Sequence, residues 1–106
     1  MTVSPNPQDD DQPARAGAIV RVLEIVNKKG LHARASAKFV QTVEQFDAEV
    51  RVTRCGETVG GNSIMGLMML SAAPGCTIHV ETSGKESAEV MDALSALVAN
   101  RFGEEE

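Results

Sequence analysis

The residue with the clearest potential for chemistry is His32, one of two histidines in the chain. It follows Gly30 and Leu31 and precedes a helical pattern, in which apolar residues recur at spacings of three and four: Ala35, Phe39, Val43 and Phe46. His32 is therefore predicted at or next to the N-terminus of a helix. Unpaired backbone N–H groups and the helix dipole favour an anion such as phosphate there.

The segment 28–38 adds positive charge around this histidine. It contains no acidic residue and four basic ones, namely Lys28, Lys29, Arg34 and Lys38. One interpretation is that His32 is a polar residue at a helix start, beside a solvated basic surface that includes Arg34. The other is that a nucleophilic imidazole stands where an anion is held.

The second interpretation places a nucleophile beside a helix end that binds phosphate readily. Neutral imidazole is nucleophilic near pH 7 and is also a good leaving group. Phosphoryl transfer depends on positioning and charge neutralisation more than on covalent machinery. The backbone amides of Ala33 and Arg34, together with the Arg34 guanidinium, are candidates for both tasks.

A length of 106 residues and a hydrophobic fraction of 42% predict one globular domain with a modest core. No apolar run reaches the length of a membrane span, and no basic region followed by an apolar one marks a secretory signal. Cys55 and Cys76 are too far apart for a CxxC metal or redox motif. We therefore expect a cytoplasmic protein without membrane insertion, cofactor or metal.

Charge is concentrated at the two ends of the chain. The formal net charge is −5, but residues 1–17 hold three aspartates and one arginine, and residues 104–106 are three glutamates. Residues 18–103 therefore balance nine acids with nine bases. Aromatic residues make up 3% of the chain, with no Tyr or Trp, which argues against a nucleic-acid platform that stacks bases.

These patterns divide the chain into a disordered extension (1–17), a folded domain (18–103) and an acidic tail (104–106). The extension holds three of the four prolines and almost nothing apolar. In the domain we predict strands at 18–26, 48–54, 57–60 and 76–82, and helices at 33–45, 63–70 and 85–101. The order β-α-β-β-α-β-α predicts an α+β open-faced sandwich, a four-stranded antiparallel sheet covered on one face by three helices.

The short segment SIMGLMML at 63–70 is the second candidate feature. Ser63 suits the N-cap of its helix, and a serine there is either a plain cap or a regulated site. The apolar residues wrap too far round this helix for burial on one side. Ile64, Met65 and Met68 are therefore candidates for an exposed docking surface, since flexible methionines adapt to several partners; ordinary core packing is the alternative.

With both segments placed, residues 18–102 resemble the histidine-containing phosphocarrier (HPr) family of the bacterial phosphotransferase system, including its nitrogen-related paralogue. GLHAR matches the active-site motif, and SIMGLMML matches a second motif in which a serine opens a short helix. The resemblance implies that phosphate from phosphoenolpyruvate passes to enzyme I, then to His32 with Arg34 as the active-site arginine, then to an enzyme IIA-type domain. It also implies a kinase that phosphorylates Ser63 and lowers acceptance at His32.

On this resemblance we expect a monomer that is a transfer intermediate rather than a turnover enzyme by itself. The family usually has proline where this chain has Ala35; alanine is a strong helix former, so the helix should survive with a looser start. Two other functions stay open: a non-catalytic regulatory module switched at Ser63, and a small anion- or nucleic-acid-binding domain. The presence of His32 argues against the first, and the neutral folded part without aromatic residues argues against the second.

Overall fold

The computed structural model describes residues 17–104. Apart from Gly17, the predicted N-terminal extension lies outside the described residues, as do the last two residues of the acidic tail. The elements are strands β1 (Ile19–Glu24), β2 (Glu49–Arg54), β3 (Glu57–Gly60) and β4 (Thr77–Ser83), and helices α1 (Ala33–Val43), α2 (Ile64–Met69) and α3 (Ser87–Ala99). A short 3-10 turn at Arg101–Gly103 follows. The predicted order β-α-β-β-α-β-α is confirmed, with boundaries shifted by one or two residues, as is usual for helix and strand ends.

The four strands form one sheet in the order β1-β4-β2-β3, and all neighbours are antiparallel. Antiparallel sheets commonly bury one face and leave the other in solvent. Alternation along the strands follows this rule: Leu23 and Ile78 are buried, whereas Val20 and Val22 on the other face of β1 are about half exposed. The predicted open-faced α+β sandwich is therefore confirmed.

The three helices bury their apolar stripes against one face of the sheet. Three of the four residues in the stripe predicted for α1 are buried, and Phe46 is only partly buried because it lies beyond the end of that helix. The remaining helices contribute Leu67, Val90, Met91, Leu94 and Val98 to the same core. Within residues 17–104, no helix has both the length and the apolar character that crossing a membrane requires.

Because β1 pairs with β4, the end of β1 meets the start of β4 at one edge of the domain. The loop that leaves β1 leads into α1, and the loop that enters β4 comes from α2. The sheet order therefore brings together the two loops that border the predicted active histidine and the short apolar helix.

Candidate functional site

The loop between β1 and α1 is fixed by the loop that precedes β4. The Ile25 amide donates to the Cys76 carbonyl (2.8 Å), and the Leu31 amide donates to the Ala72 carbonyl (2.9 Å). Gly30 adopts a left-handed conformation with φ of +67°, and a Cβ atom there would lie 2.4 Å from the Ala72 oxygen. Glycine is therefore required at this position for two reasons, its backbone conformation and this close approach.

Asn27 closes the same loop from inside. Its side chain is fully buried, and its Nδ2 donates to the Gly30 carbonyl at 2.9 Å. The Gly30 amide donates back to the Asn27 carbonyl at 3.2 Å. These contacts determine where α1 begins and therefore where its N-cap residue, His32, lies.

His32 is the N-cap residue of α1, with an extended backbone (φ −80°, ψ −176°). Its carbonyl accepts the Ser36 amide at 2.8 Å, while its side chain forms no capping hydrogen bond. The amides of Ala33 and Arg34 have no backbone partner within residues 17–104, as expected for the first turn of a helix. Ala35 lies in the first turn of α1 and is fully buried. The helix therefore forms with alanine at the position where the HPr family usually has proline. The imidazole thus lies at a helix end that attracts anions.

The basic residues around His32 differ in what they contact. Arg34 is exposed and forms no hydrogen bond or ion pair with any residue that the structure describes. Lys38, by contrast, donates from Nζ to the Phe102 carbonyl at 2.6 Å. Both belong to the basic segment 28–38, but of the two only the Arg34 guanidinium has no partner among residues 17–104 and can meet an incoming anion.

A carboxylate that sequence reasoning gave no role contacts the histidine. Glu104 Oε2 lies 2.5 Å from His32 Nε2, and Glu104 Oε1 accepts a hydrogen bond from Asn27 Nδ2 at 3.0 Å. Burial opposes ionisation of Glu104, but the hydrogen bonds from Asn27 and His32 and the positive charges of His32 and Lys29 outweigh it. The pKa of Glu104 therefore lies below its ordinary value. The side chain is ionised near neutral pH and acts there only as an acceptor.

The turn at Arg101–Gly103 places Glu104 over the start of α1. Arg101 and Phe102 both have φ of +56°, and Gly103 has φ of +78°. Left-handed non-glycine residues cost roughly 1–2 kcal/mol each, and burying a phenylalanine side chain contributes about 1.5–3 kcal/mol. The Phe102 side chain is fully buried, and its carbonyl accepts from Lys38. This anchoring offsets much of the backbone cost and holds the turn in place.

Ser63 caps α2 as predicted, because its Oγ accepts a hydrogen bond from the Gly66 amide at 3.0 Å. On this helix Met65 is 69% exposed and Ile64 and Met68 are each 39% exposed, so none of the three is buried in the core. Met69, which sequence reasoning did not select, is exposed to 68%. We call these four residues the apolar surface of α2.

The apolar surface of α2 belongs to a helix whose C-terminal end is connected to the loop that carries His32. Helix α2 packs against α1, and three residues after its last residue comes Ala72, whose carbonyl holds the Leu31 amide. The end of α2 is therefore tied to the loop that carries His32. Of the predicted site residues, His32, Ala33 and Arg34 lie together at the start of α1, whereas Ile64, Met65 and Met68 lie on the helix that packs against α1.

Cys76 is a further group with a shifted pKa. A backbone hydrogen bond at Ala73 and the contact with Arg54, whose Nη2 donates to Sγ at 3.2 Å, place the pKa of this thiol below its ordinary value. Cys55 is exposed in the β2–β3 turn. Sequence reasoning gave neither cysteine a role, and the structure places neither side chain in contact with His32.

This chain is similar in sequence to known phosphocarrier proteins. A family model described as "PTS HPr component phosphorylation site" matches residues 19–100. The phosphocarrier protein HPr of Neisseria meningitidis serogroup A is 57% identical over 84 residues, which cover 79% of this chain and 94% of that protein. The corresponding protein of Cupriavidus necator is 55% identical over 82 residues, covering 77% and 92%.

A solved structure and a further sequence relative also belong to proteins of the HPr type. The crystal structure of HPr-C-His from Thermoanaerobacter tengcongensis matches with a TM-score of 0.79 at 38% identity, covering 83% of this chain and 99% of that one. A second type of relative is also similar: the HPr-like protein Crh of Halalkalibacterium halodurans is 39% identical over 80 residues, covering 76% and 95%. The motifs, the sheet order and these matches agree, and the chain belongs to the HPr family of phosphocarrier proteins of the phosphotransferase system.

Proposed function

We propose that this protein carries a phosphoryl group on His32, accepting it from enzyme I and delivering it to an enzyme IIA-type domain. The observation that carries the proposal is the position of the imidazole. The imidazole belongs to the N-cap residue of α1 and is 28% exposed. The next two residues supply two amides and a guanidinium that have no partner among residues 17–104. The partial positive charge of the helix N-terminus and the Arg34 guanidinium can then stabilise a phosphoryl group on His32.

The role of these groups follows from the charge of the phosphoryl group. The amides of Ala33 and Arg34 are preorganised donors, because the helix fixes their direction before phosphate arrives. The guanidinium of Arg34 offers a planar pair of donors that matches two phosphoryl oxygens. His32 supplies the nucleophile, and its surroundings supply positioning and charge neutralisation.

We propose that enzyme I and the IIA-type acceptor dock in turn on the apolar surface of α2. Partner interfaces commonly have an apolar centre, and methionine is enriched in them. Methionine side chains also adapt to surfaces of different shape. Since α2 ends beside the loop that carries His32, a partner seated on this surface brings its own active site near the imidazole.

We also propose that a serine kinase regulates this docking at Ser63. A phosphate at the start of α2 gains from the helix dipole, so the fold should tolerate it. It would, however, place a charge of about −1.5 to −2 beside Ile64 and the neighbouring methionines. A partner that covers this surface must then bury an unpaired charge, which is costly.

This regulation is tested with a pair of variants that differ only in charge. Ser63→Asp and Ser63→Asn both keep a good N-cap, whereas Ser63→Ala should lose about 1 kcal/mol of stability. We expect Ser63→Asp to slow phosphorylation by enzyme I several-fold through a higher KM, and Ser63→Asn to behave like the wild type. The measurement is the transfer rate over a range of carrier concentrations. If the Ser63→Asp curve overlays that of Ser63→Asn, Ser63 is a structural cap only.

The N-terminal domain boundary proposed from the sequence is tested by truncation. A protein that starts at Ala18 lacks the proline-rich acidic extension, whose composition cannot build a core. We expect its Tm to stay within a few degrees of the full chain, with an unchanged rate of transfer from enzyme I. A large fall in Tm on thermal unfolding would show instead that the extension packs against the domain.

A further inference from the structure

The two ring nitrogens of His32 have different surroundings. Nε2 lies 2.5 Å from Glu104 Oε2, whereas Nδ1 has no hydrogen-bond partner in the part of the chain that the structure describes. An ionised carboxylate only accepts hydrogen bonds, so the proton in the Nε2–Glu104 contact belongs to Nε2. Neutral His32 is therefore held as the Nε2–H tautomer, with the lone pair on Nδ1.

Glu104 is itself held by two separate parts of the fold. Its Oε1 accepts from Nδ2 of the buried Asn27, which also donates to the Gly30 carbonyl. Its backbone follows Phe102, which is anchored in the core and by Lys38. A carboxylate fixed from both sides is preorganised, so it constrains the ring rather than following its motion.

We propose that Glu104 is a positioning residue for phosphoryl transfer: it holds His32 in the Nε2–H tautomer and stabilises the positive charge that the ring gains when Nδ1 bonds to phosphorus. This inference rests on the proposed role of His32 as the phosphoryl acceptor. The carboxylate contacts the opposite nitrogen, so it does not compete with phosphorus for the Nδ1 lone pair.

The electron balance of phosphoryl transfer shows that positive charge develops on the ring, where the Glu104 carboxylate can stabilise it. The Nδ1 lone pair forms the new N–P bond, while the bond between phosphorus and the donor atom of enzyme I breaks and its electron pair leaves with the donor. No proton moves on His32, since Nε2 already holds one, and the ring becomes a phosphoimidazolium beside Glu104. On delivery the N–P electrons return to Nδ1 and the ring is neutral again, as a reversible carrier requires.

Two substitutions separate the parts of this role. Glu104→Ala removes both the acceptor and the charge, whereas Glu104→Gln keeps a side-chain oxygen that accepts the Nε2 proton but loses the charge. Glu105→Ala changes the net charge equally at the next residue and is the matched control. Tautomers are read by NMR of the ¹⁵N-labelled imidazole above the pH at which it protonates, and transfer from phosphorylated enzyme I is measured on the same samples.

We expect Nε2–H in the wild type, in Glu104→Gln and in the control, and a mixture of tautomers in Glu104→Ala. Transfer should fall about tenfold in Glu104→Ala, in line with other outer partners that orient a histidine, by less in Glu104→Gln, and not in Glu105→Ala. An unchanged tautomer and rate in Glu104→Ala would overturn the inference, as would an equal loss in the control. If wild-type protein is not labelled on His32 at all, the proposed function fails instead, so the two failures are distinguishable.

Discussion

Replacing Arg34 with alanine is expected to slow phosphorylation of His32 by enzyme I about 100-fold, because removing one preorganised donor from a transferring group costs on the order of 10²–10³ in rate. The loss should fall on kcat, since the guanidinium acts on the phosphoryl group in transit rather than on docking. The free energy of unfolding should hardly change, because Arg34 is exposed and has no partner among residues 17–104.

A second variant and a control separate charge from geometry. Arg34→Lys keeps the charge but loses the planar pair of donors, so its rate should lie between those of Arg34→Ala and the wild type. Lys85→Ala removes one positive charge from an exposed position just before α3 and should leave the rate unchanged. An Arg34→Ala rate within twofold of the wild type would mean that Arg34 is only a solvated surface residue.

Replacing Gly30 with alanine is expected to destabilise the domain by about 2–5 kcal/mol. The left-handed backbone alone costs a non-glycine residue roughly 1–2 kcal/mol. The new Cβ would also lie 2.4 Å from the Ala72 oxygen, so the backbone must shift, at a cost of roughly 1–3 kcal/mol. The shift would weaken the Leu31–Ala72 hydrogen bond that positions the start of α1.

Gly75 provides the matched control for this prediction. It also has a positive φ (+89°), but a Cβ there would meet nothing within 4 Å. Gly75→Ala should therefore show the conformational cost alone, and urea unfolding of the two variants measures the difference. Equal losses in Gly30→Ala and Gly75→Ala would show that the close approach to Ala72 contributes nothing.

The features that the sequence predicted well are those encoded by neighbouring residues. The period of apolar positions defined α1 from Ala35 onwards, alternation defined β2 and β4, and Ser63 marked the start of α2. Each of these signals lies within a few residues of the element that it predicts. For the same reason the motif GLHAR was sufficient to locate the histidine, and SIMGLMML to locate three of the four residues in the apolar surface of α2.

The features that the sequence did not predict depend on contacts between distant residues. Glu104 follows His32 by 72 positions and stands in a run of three glutamates, which by composition is an acidic tail. Its contact with the ring exists only because consecutive left-handed residues at Arg101 and Phe102 turn the chain back onto α1. No local pattern marks such a turn, since non-glycine residues rarely adopt this conformation.

Labelling with phosphoenolpyruvate and enzyme I tests most directly whether His32 itself carries the phosphoryl group. The wild type should become a phosphoprotein that is stable in base and labile in acid, as expected of a phosphoramidate. His79→Ala, which removes the other histidine, should be labelled equally, and His32→Ala should not be labelled. Label on His32→Ala at the wild-type level would contradict the account.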